Sequence, residues 1–331
     1  LYLLQNLYDL SDEATVAEAI DSRAFSDFCG IDSSNQVPDG DTLGCASALS
    51  RALIALGKSV VFRCADPVPP KFTYLFEGIE YGEFEPEHIV TVDVADKTLL
   101  GSLEPYGDKT DFAIDHHASC RPFAKETWVE GTAGAACELI ARLIPALGAK
   151  ITPKIADCLY TGISTDTGCF RYPNASANTY RIAADLLEHG ANAAEINRLM
   201  FDTKSRAAVA LLKRLYSGME FHCDGKCAVF CLTNDVIAET GASEDDLDGV
   251  SAMVRQVEGV LLGFTLRERE GGVWKVSMRA TNPADPSAVC AKFGGGGHKG
   301  AAGCSLTGEL EDVKARVVAA CGEAIKALEN K

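Results

Sequence analysis

Four short segments of this 331-residue chain carry the residue types from which a metal centre is built. Asp115-His116-His117 follows the apolar stretch Phe112-Ala113-Ile114. Asp39-Gly40-Asp41, Asp93-Val94-Ala95-Asp96 and Asp166, within Gly162-Ile163-Ser164-Thr165-Asp166-Thr167-Gly168, stand at comparable strand or loop ends. Acidic groups placed where buried strands end tend to converge, and at neutral pH they would repel one another unless cations held them. Their oxygens and imidazole nitrogens suffice for two divalent ions, so the pattern predicts a metalloenzyme.

Such groups need a scaffold that brings strand ends together. From about residue 28 to 190 strand and helix patterns alternate, which predicts an α/β fold with a doubly wound, mainly parallel sheet. Leu43, Ala46, Leu49, Leu53 and Leu56 recur at helical spacing, and Gly57 closes that helix. Residues 59–64, 89–94 and 112–114 read as strands, the last two ending on acidic motifs. Residues 132–147 read as an amphipathic helix, with apolar positions at 135, 136, 139, 140, 143 and 144. Between 176 and 220 only helical patterns occur, broken at Gly190 and around Asp202. Beyond them, strands at 226–233, 260–268 and 273–280 and helical segments at 243–256, 286–292 and 310–329 predict a smaller α/β domain. The expected division is 1–190, a helical connector at 191–222, and a second domain at 223–331.

Composition narrows the function. A net charge of -16 argues against gripping long nucleic acid, which needs a basic stripe, while leaving a small anionic ligand open. Apolar runs break well before the roughly 18 residues of a membrane span, and the start, which lacks Met, carries no targeting pattern. The thirteen cysteines are scattered through apolar segments, which predicts a reduced, cytoplasmic setting. Cys227, Val229 and Cys231 alternate as one face of a strand, which explains Cys223, Cys227 and Cys231 better than a metal does. Asn174-Ala175-Ser176 has the form of a glycosylation acceptor, without meaning in that compartment.

Five motifs in order then carry a resemblance: residues 38–44 (PDGDTLG), Val92-Asp93, Ile114-Asp115-His116-His117, residues 162–172, and residues 293–303 (FGGGGHKGAAG). In these the chain resembles DHH-family phosphoesterases with a DHH-associated C-terminal domain. The nearest branch is that of bifunctional oligoribonucleases and 3'-phosphoadenosine-5'-phosphate (pAp) phosphatases. The resemblance implies two divalent cations, with Mn²⁺ favoured and Mg²⁺ or Co²⁺ compatible. It gives Asp93 the bridging position, Asp39 the first metal, and Asp41, His117 and Asp166 the second. It leaves His116 to meet phosphate or move a proton, and Asp115 to orient an imidazole. Arg279 and His298 would hold the nucleotide's terminal phosphate, with Arg171 and Lys204 as further candidates. Gly295, Gly296 and Gly297 would let a phosphate or base approach backbone N–H groups.

The chain departs from the family pattern at Asn35, where the family carries a metal-binding His. An amide oxygen is a poorer ligand for a transition metal, which predicts a weak first site. Cys120 and the stretch 131–135 (GTAGA) depart as well. The implied substrates are short oligoribonucleotides, linear dinucleotides and pAp, with no membrane partner and a homodimer left open. A cyclic dinucleotide phosphodiesterase, a manganese pyrophosphatase and a catalytically weakened nucleotide-binding protein are the competing readings.

Overall fold

The computed structural model describes residues 38–247, 249–298 and 300–329. Asn35 and Lys299 lie outside the described residues. The chain divides into two compact units, with the boundary between Thr203 and Lys204. The segment expected as a connector is shared between them. Both units are α/β, and no helix among the described residues is long and apolar enough to cross a membrane.

In the first unit, helix α1 (Gly40–Ala55) begins where the Asp39 side chain accepts the Asp41 and Thr42 amide protons, satisfying donors that a helix start leaves free. It ends at Leu56, with Gly57 at φ 78°, as the periodicity predicts. Strands β1 (Val90–Val92), β2 (Phe112–Asp115) and β3 (Glu126–Val129) form a parallel sheet in that order. Val92 pairs with Ile114, so Asp93 and Asp115 leave neighbouring strands at the same end. Residues 59–64 form no strand among the described residues; there Val60 accepts a hydrogen bond from the Gly82 amide at 2.9 Å, and the segment has no ladder partner.

Helix α2 (Ala136–Ala146) starts four residues later than expected, because residues 131–135 are held as a loop against the site. Helix α3 (Pro153–Asp166) ends on one of the acidic groups, and α4 (Ala177–Glu188) opens with a Ser176–Thr179 capping box. Leu139, Ile140, Ile144, Ile155, Leu159 and Ile163 form the centre of the core, each such side chain contributing about 1.5–3 kcal/mol by burial.

Glycines let α1 and α3 cross closely. A Cβ at Gly162 would overlap Cys137 Sγ and stand 2.7 Å from Asp41 Oδ1, and one at Gly44 would stand 2.6 Å from the Cys158 carbonyl. Gly162→Ala is therefore expected to cost roughly 1–3 kcal/mol of stability by overpacking and to displace Asp41. Thermal unfolding together with metal content checks this. A variant with wild-type stability and metal would mean the contact relaxes freely.

The second unit carries helix α5 (Arg206–Ser217) and a six-stranded sheet. Its strands are β4 (Glu220–His222), β5 (Cys227–Leu232), β6 (Leu262–Arg269), β7 (Val273–Ala280), β8 (Gly296–His298) and β9 (Ala301–Thr307), in the order β4-β5-β6-β7-β9-β8. Of these neighbours only β5 and β6 run parallel. One sheet face packs Phe264, Val276 and Met278 against a C-terminal helix, Leu310–Glu329. On the other face Phe230, Leu211 and Val254 form a separate cluster. The helix expected over 243–256 is two short 3-10 turns, Glu244–Leu247 and Val250–Gln256, because Gly249 between them takes φ 72°.

Candidate metal centre

The ends of β1 and β2, the start of α1 and the end of α3 bring Asp41, Asp93, Asp115, His116, His117 and Asp166 together. Asp93 sits at φ 56°, a left-handed conformation that costs a non-glycine residue about 1–3 kcal/mol. Its amide donates to the Ile114 carbonyl at 2.8 Å, which holds the strained residue against β2. Its Oδ2 accepts a hydrogen bond from Thr42 Oγ1 at 2.7 Å, while Oδ1 is buried with no hydrogen-bond partner.

The two imidazoles are held differently. His116 Nδ1 lies 3.2 Å from the Ala133 carbonyl, which can only accept, so Nδ1 donates and a neutral ring presents its lone pair at Nε2. That Nε2 is buried, lacks a hydrogen-bond partner, and stands 3.7 Å from Asp41 Oδ2, 3.6 Å from Asp93 Oδ1 and 3.5 Å from Asp166 Oδ2. These separations exceed a hydrogen bond and suit donors that converge on a cation. His117 instead hydrogen-bonds through Nδ1 to Asp115 Oδ1 at 2.8 Å, with 42% of its side chain exposed. Its Nδ1 is also 3.6 Å from Asp93 Oδ1. The family resemblance gave the metal to His117 and the outer position to His116; in the structure it is His116 Nε2 that faces three carboxylates.

Asp41 is fully buried, and its carboxylate accepts the Ala136 and Cys137 amides at 2.5 and 2.9 Å, so it also caps α2. Asp39 spends Oδ1 on capping α1 and falls outside the close groups of ligand atoms that unite Asp41, His116 and Asp166, and Asp93, His116 and His117. Asp115 is buried and orients His117. The thiols of Cys45 and Cys137 lie 3.4 Å apart behind Asp41, and burial raises both far enough to keep them protonated.

Electrostatics describe a cluster short of positive charge. Burial first, then repulsion from Asp41 and Asp39, raises Asp93 well above the usual carboxylate range and pushes Asp166 up to about 8. Burial raises Asp41 too, opposed by His116 and reinforced by Asp39. Asp115 is lowered: burial works against this, but the hydrogen bond and charge of His117 outweigh it. His117 is raised correspondingly, Asp115 overcoming the effect of burial.

Groups with raised folded-state pKa bind more protons folded than unfolded, so stability of the metal-free protein should fall as pH rises from about 4 through about 8. In EDTA the melting temperature is expected to be higher at pH 6 than at pH 8, by roughly 2–4 °C per kcal/mol. Saturating Mn²⁺ should remove most of that difference by replacing protons with a cation. Equal pH dependence with and without metal would sink the idea that a cation neutralises this cluster.

Sequence reasoning missed three residues that build the site. Thr42 holds Asp93, and its place directly after Asp41 was the available signal. Glu138 is buried and accepts the Gly134 amide and the Thr179 hydroxyl, fixing the loop that holds His116. Asn174 donates to the carbonyls of Gly134 and Asp166 at 3.0 and 3.2 Å, tying the two site loops together. Arg171 is held locally, Nε donating to the Gly168 carbonyl at 2.6 Å and the guanidinium lying over Phe201.

In the second unit, Arg279, Ala301 and His298 share one row across β7, β9 and β8. A Cβ at Gly295 or Gly297 would meet the β9 backbone at Gly303 or at Ala301 and Ala302. Close strand packing therefore requires these glycines, independently of any ligand.

Comparison with known proteins accords with this arrangement. The N-terminal domain of the DHH family matches residues 33–163, and the DHHA1 domain matches residues 224–327. A bifunctional oligoribonuclease and PAP phosphatase NrnA of Thermus thermophilus is 34% identical over 86% of this chain and 87% of its own length. The chain belongs to the DHH family. A DHH relative of the same description in Bacillus subtilis is 24% identical over 81% of this chain and 86% of its own. An exopolyphosphatase-related protein of Bacteroides fragilis shares the fold, with a TM-score of 0.76 at 24% identity over 89% of this chain and 92% of that one. Residues 1–46, almost all outside the described residues, also match a transposase domain (DUF772).

Proposed function

We propose that this DHH protein is a metal-dependent phosphoesterase that hydrolyses short oligoribonucleotides and pAp, with the metal centre in the first unit and substrate capture in the second. The observation that carries the reading is the pair of buried, partnerless atoms, Asp93 Oδ1 and His116 Nε2, facing each other among carboxylates raised by burial. Mixed oxygen and imidazole donors fit Mn²⁺ best and accommodate Mg²⁺ or Co²⁺. Bound ions would supply Lewis acidity and an acidified water for attack at phosphorus.

The chain's own residues perform the rest. Asp41, Asp93, His116 and Asp166 hold the cations; Thr42 and Ala133 fix the orientation of Asp93 and His116. His117, oriented by Asp115, whose hydrogen bond and charge raise its pKa against the effect of burial, meets the phosphate or delivers a proton to the leaving oxygen. Arg279 and His298 hold the substrate's second phosphate. A short nucleotide suits a chain of net charge -16, and the setting we assign is the cytoplasm.

Product analysis with Mn²⁺ on pAp, pGpG, a cyclic dinucleotide and a 5'-labelled triribonucleotide tests this. Cleavage of pAp and the linear substrates is expected. Turnover of the cyclic substrate alone, or nucleotide binding without two ions and without turnover, would replace the reading.

A further inference from the structure

A strained turn follows the acidic end of α3. Gly168, Cys169 and Phe170 take φ values of 57°, 58° and 60°, three consecutive left-handed residues directly after Asp166 and Thr167. Glycine adopts this conformation freely, but Cys169 and Phe170 carry a steric penalty there, and such a backbone persists only where its surroundings over-determine it. Buried Thr167 supplies that constraint. Its hydroxyl accepts the Phe170 amide at 3.1 Å, and its carbonyl accepts the Arg171 and Tyr172 amides at 3.0 and 3.1 Å. The Tyr180 hydroxyl donates to the Phe170 carbonyl at 3.1 Å, and the Phe170 ring packs between Tyr160 and Tyr180.

What the turn sets in place is the ring of Tyr172. A Cβ at Gly168 would lie 2.3–2.6 Å from Cζ, Cε2 and Cε1 of that ring, so one ring face rests on the glycine. Beyond the ring, the Ala175 amide donates to the Tyr172 carbonyl at 3.1 Å and Asn174 ties the segment back to the Asp166 carbonyl. The ring is therefore anchored from both sides. Gly168 is two residues from Asp166, at most about 7 Å between Cα atoms, within reach of a nucleotide whose phosphate meets the metal centre. Yet Tyr172 is 49% exposed. The turn secures an orientation for this side chain rather than its burial. In the second unit the β9 backbone occupies the room at Gly295 and Gly297, so those glycines do not cradle the base as their sequence suggested.

We propose that Tyr172 is a stacking platform for the base of the nucleotide whose phosphate meets the metal centre, and so selects nucleotides over phosphoesters of bare sugars. This rests on the proposed function and deepens it by naming a residue that recognises the base. An aromatic face suits any nucleobase, so the platform favours nucleotides without discriminating among bases. Its fixed orientation means that little conformational freedom is lost on binding.

The first measurement is Mn²⁺-dependent hydrolysis of pAp and of ribose 3',5'-bisphosphate, which carries two phosphates and no base. Tyr172→Ala is expected to raise KM for pAp about tenfold, to leave kcat within about twofold, and to leave ribose bisphosphate unaffected. Tyr172→Phe keeps the ring and should behave as the wild type. A merely structural role would depress both substrates together. The second measurement is binding of a pAp analogue with 2-aminopurine as its base, in an Asp93→Ala background so that it is not consumed. Stacking quenches 2-aminopurine fluorescence, so quenching is expected with Tyr172 present and should be lost in Tyr172→Ala. Unchanged KM for pAp in Tyr172→Ala, equal losses on both substrates, or absence of quenching overturns the platform. Quenching without hydrolysis of pAp by the wild type overturns the phosphoesterase reading and leaves the platform standing, so the two failures are distinguishable.

Discussion

Asp93→Ala is expected to bring hydrolysis of pAp and short oligoribonucleotides to background, a loss on the order of 10²–10³-fold or more, at every Mn²⁺ concentration. The reason is placement. Asp93 Oδ1 lies 3.6 Å from both His116 Nε2 and His117 Nδ1, so one carboxylate stands between the two imidazoles, and His116 in turn belongs to both close groups of ligand atoms. If Asp93 holds the bridging position that the family resemblance implies, extra metal would not restore the lost donor. The same substitution removes a strongly repelled carboxylate from the cluster. The metal-free variant should accordingly be at least as stable as the metal-free wild type while gaining less from Mn²⁺. Activity assays and thermal unfolding in EDTA and in Mn²⁺ check both halves. Near-normal turnover at saturating Mn²⁺ would remove Asp93 from the bridging role.

The convergence of the acidic and histidine motifs was readable because chemistry-bearing residues stood where apolar strands stop, and a parallel sheet gathers such ends. Helix α1 was readable from its leucine spacing and Gly57. What escaped depends on contacts distant in sequence. β3 is only four residues, Glu126–Val129, too short for an alternation to be distinctive, and it is a strand because β2 lies beside it. Residues 59–64 have strand-like composition and no ladder partner among the described residues. The glycine run at 294–297 reads as a ligand cradle in sequence, but in space the β9 backbone takes the room at Gly295 and Gly297. Asn174 reads as a modification signal and proves to tie Gly134 to Asp166 across 40 and 8 residues of chain. Most consequential is the His pair: adjacent residues of one type cannot be assigned by pattern. What separates them is a carbonyl at Ala133 for one and a carboxylate at Asp115 for the other.

That separation yields the second large expectation. His116→Ala should lower apparent Mn²⁺ affinity at least tenfold, about 1.4 kcal/mol, because a buried imidazole with its lone pair aimed at three carboxylates is removed. Part of the activity should return at high metal. His117→Ala should keep its metal, since Nδ1 is committed to Asp115 and the ring is partly exposed, and lose roughly 10²–10⁴-fold in turnover as a positioned acid disappears. The two also differ in pH. His117 has its pKa raised by Asp115, so the wild-type rate should fall on the alkaline side as that proton is lost, and this limb should vanish only in His117→Ala. Metal content by mass, Mn²⁺ titration of activity and a pH–rate profile on both variants separate the roles. If His117→Ala loses metal while His116→Ala retains it, the assignment implied by family resemblance is restored, and the hydrogen bond between His117 and Asp115 must give way when ions bind.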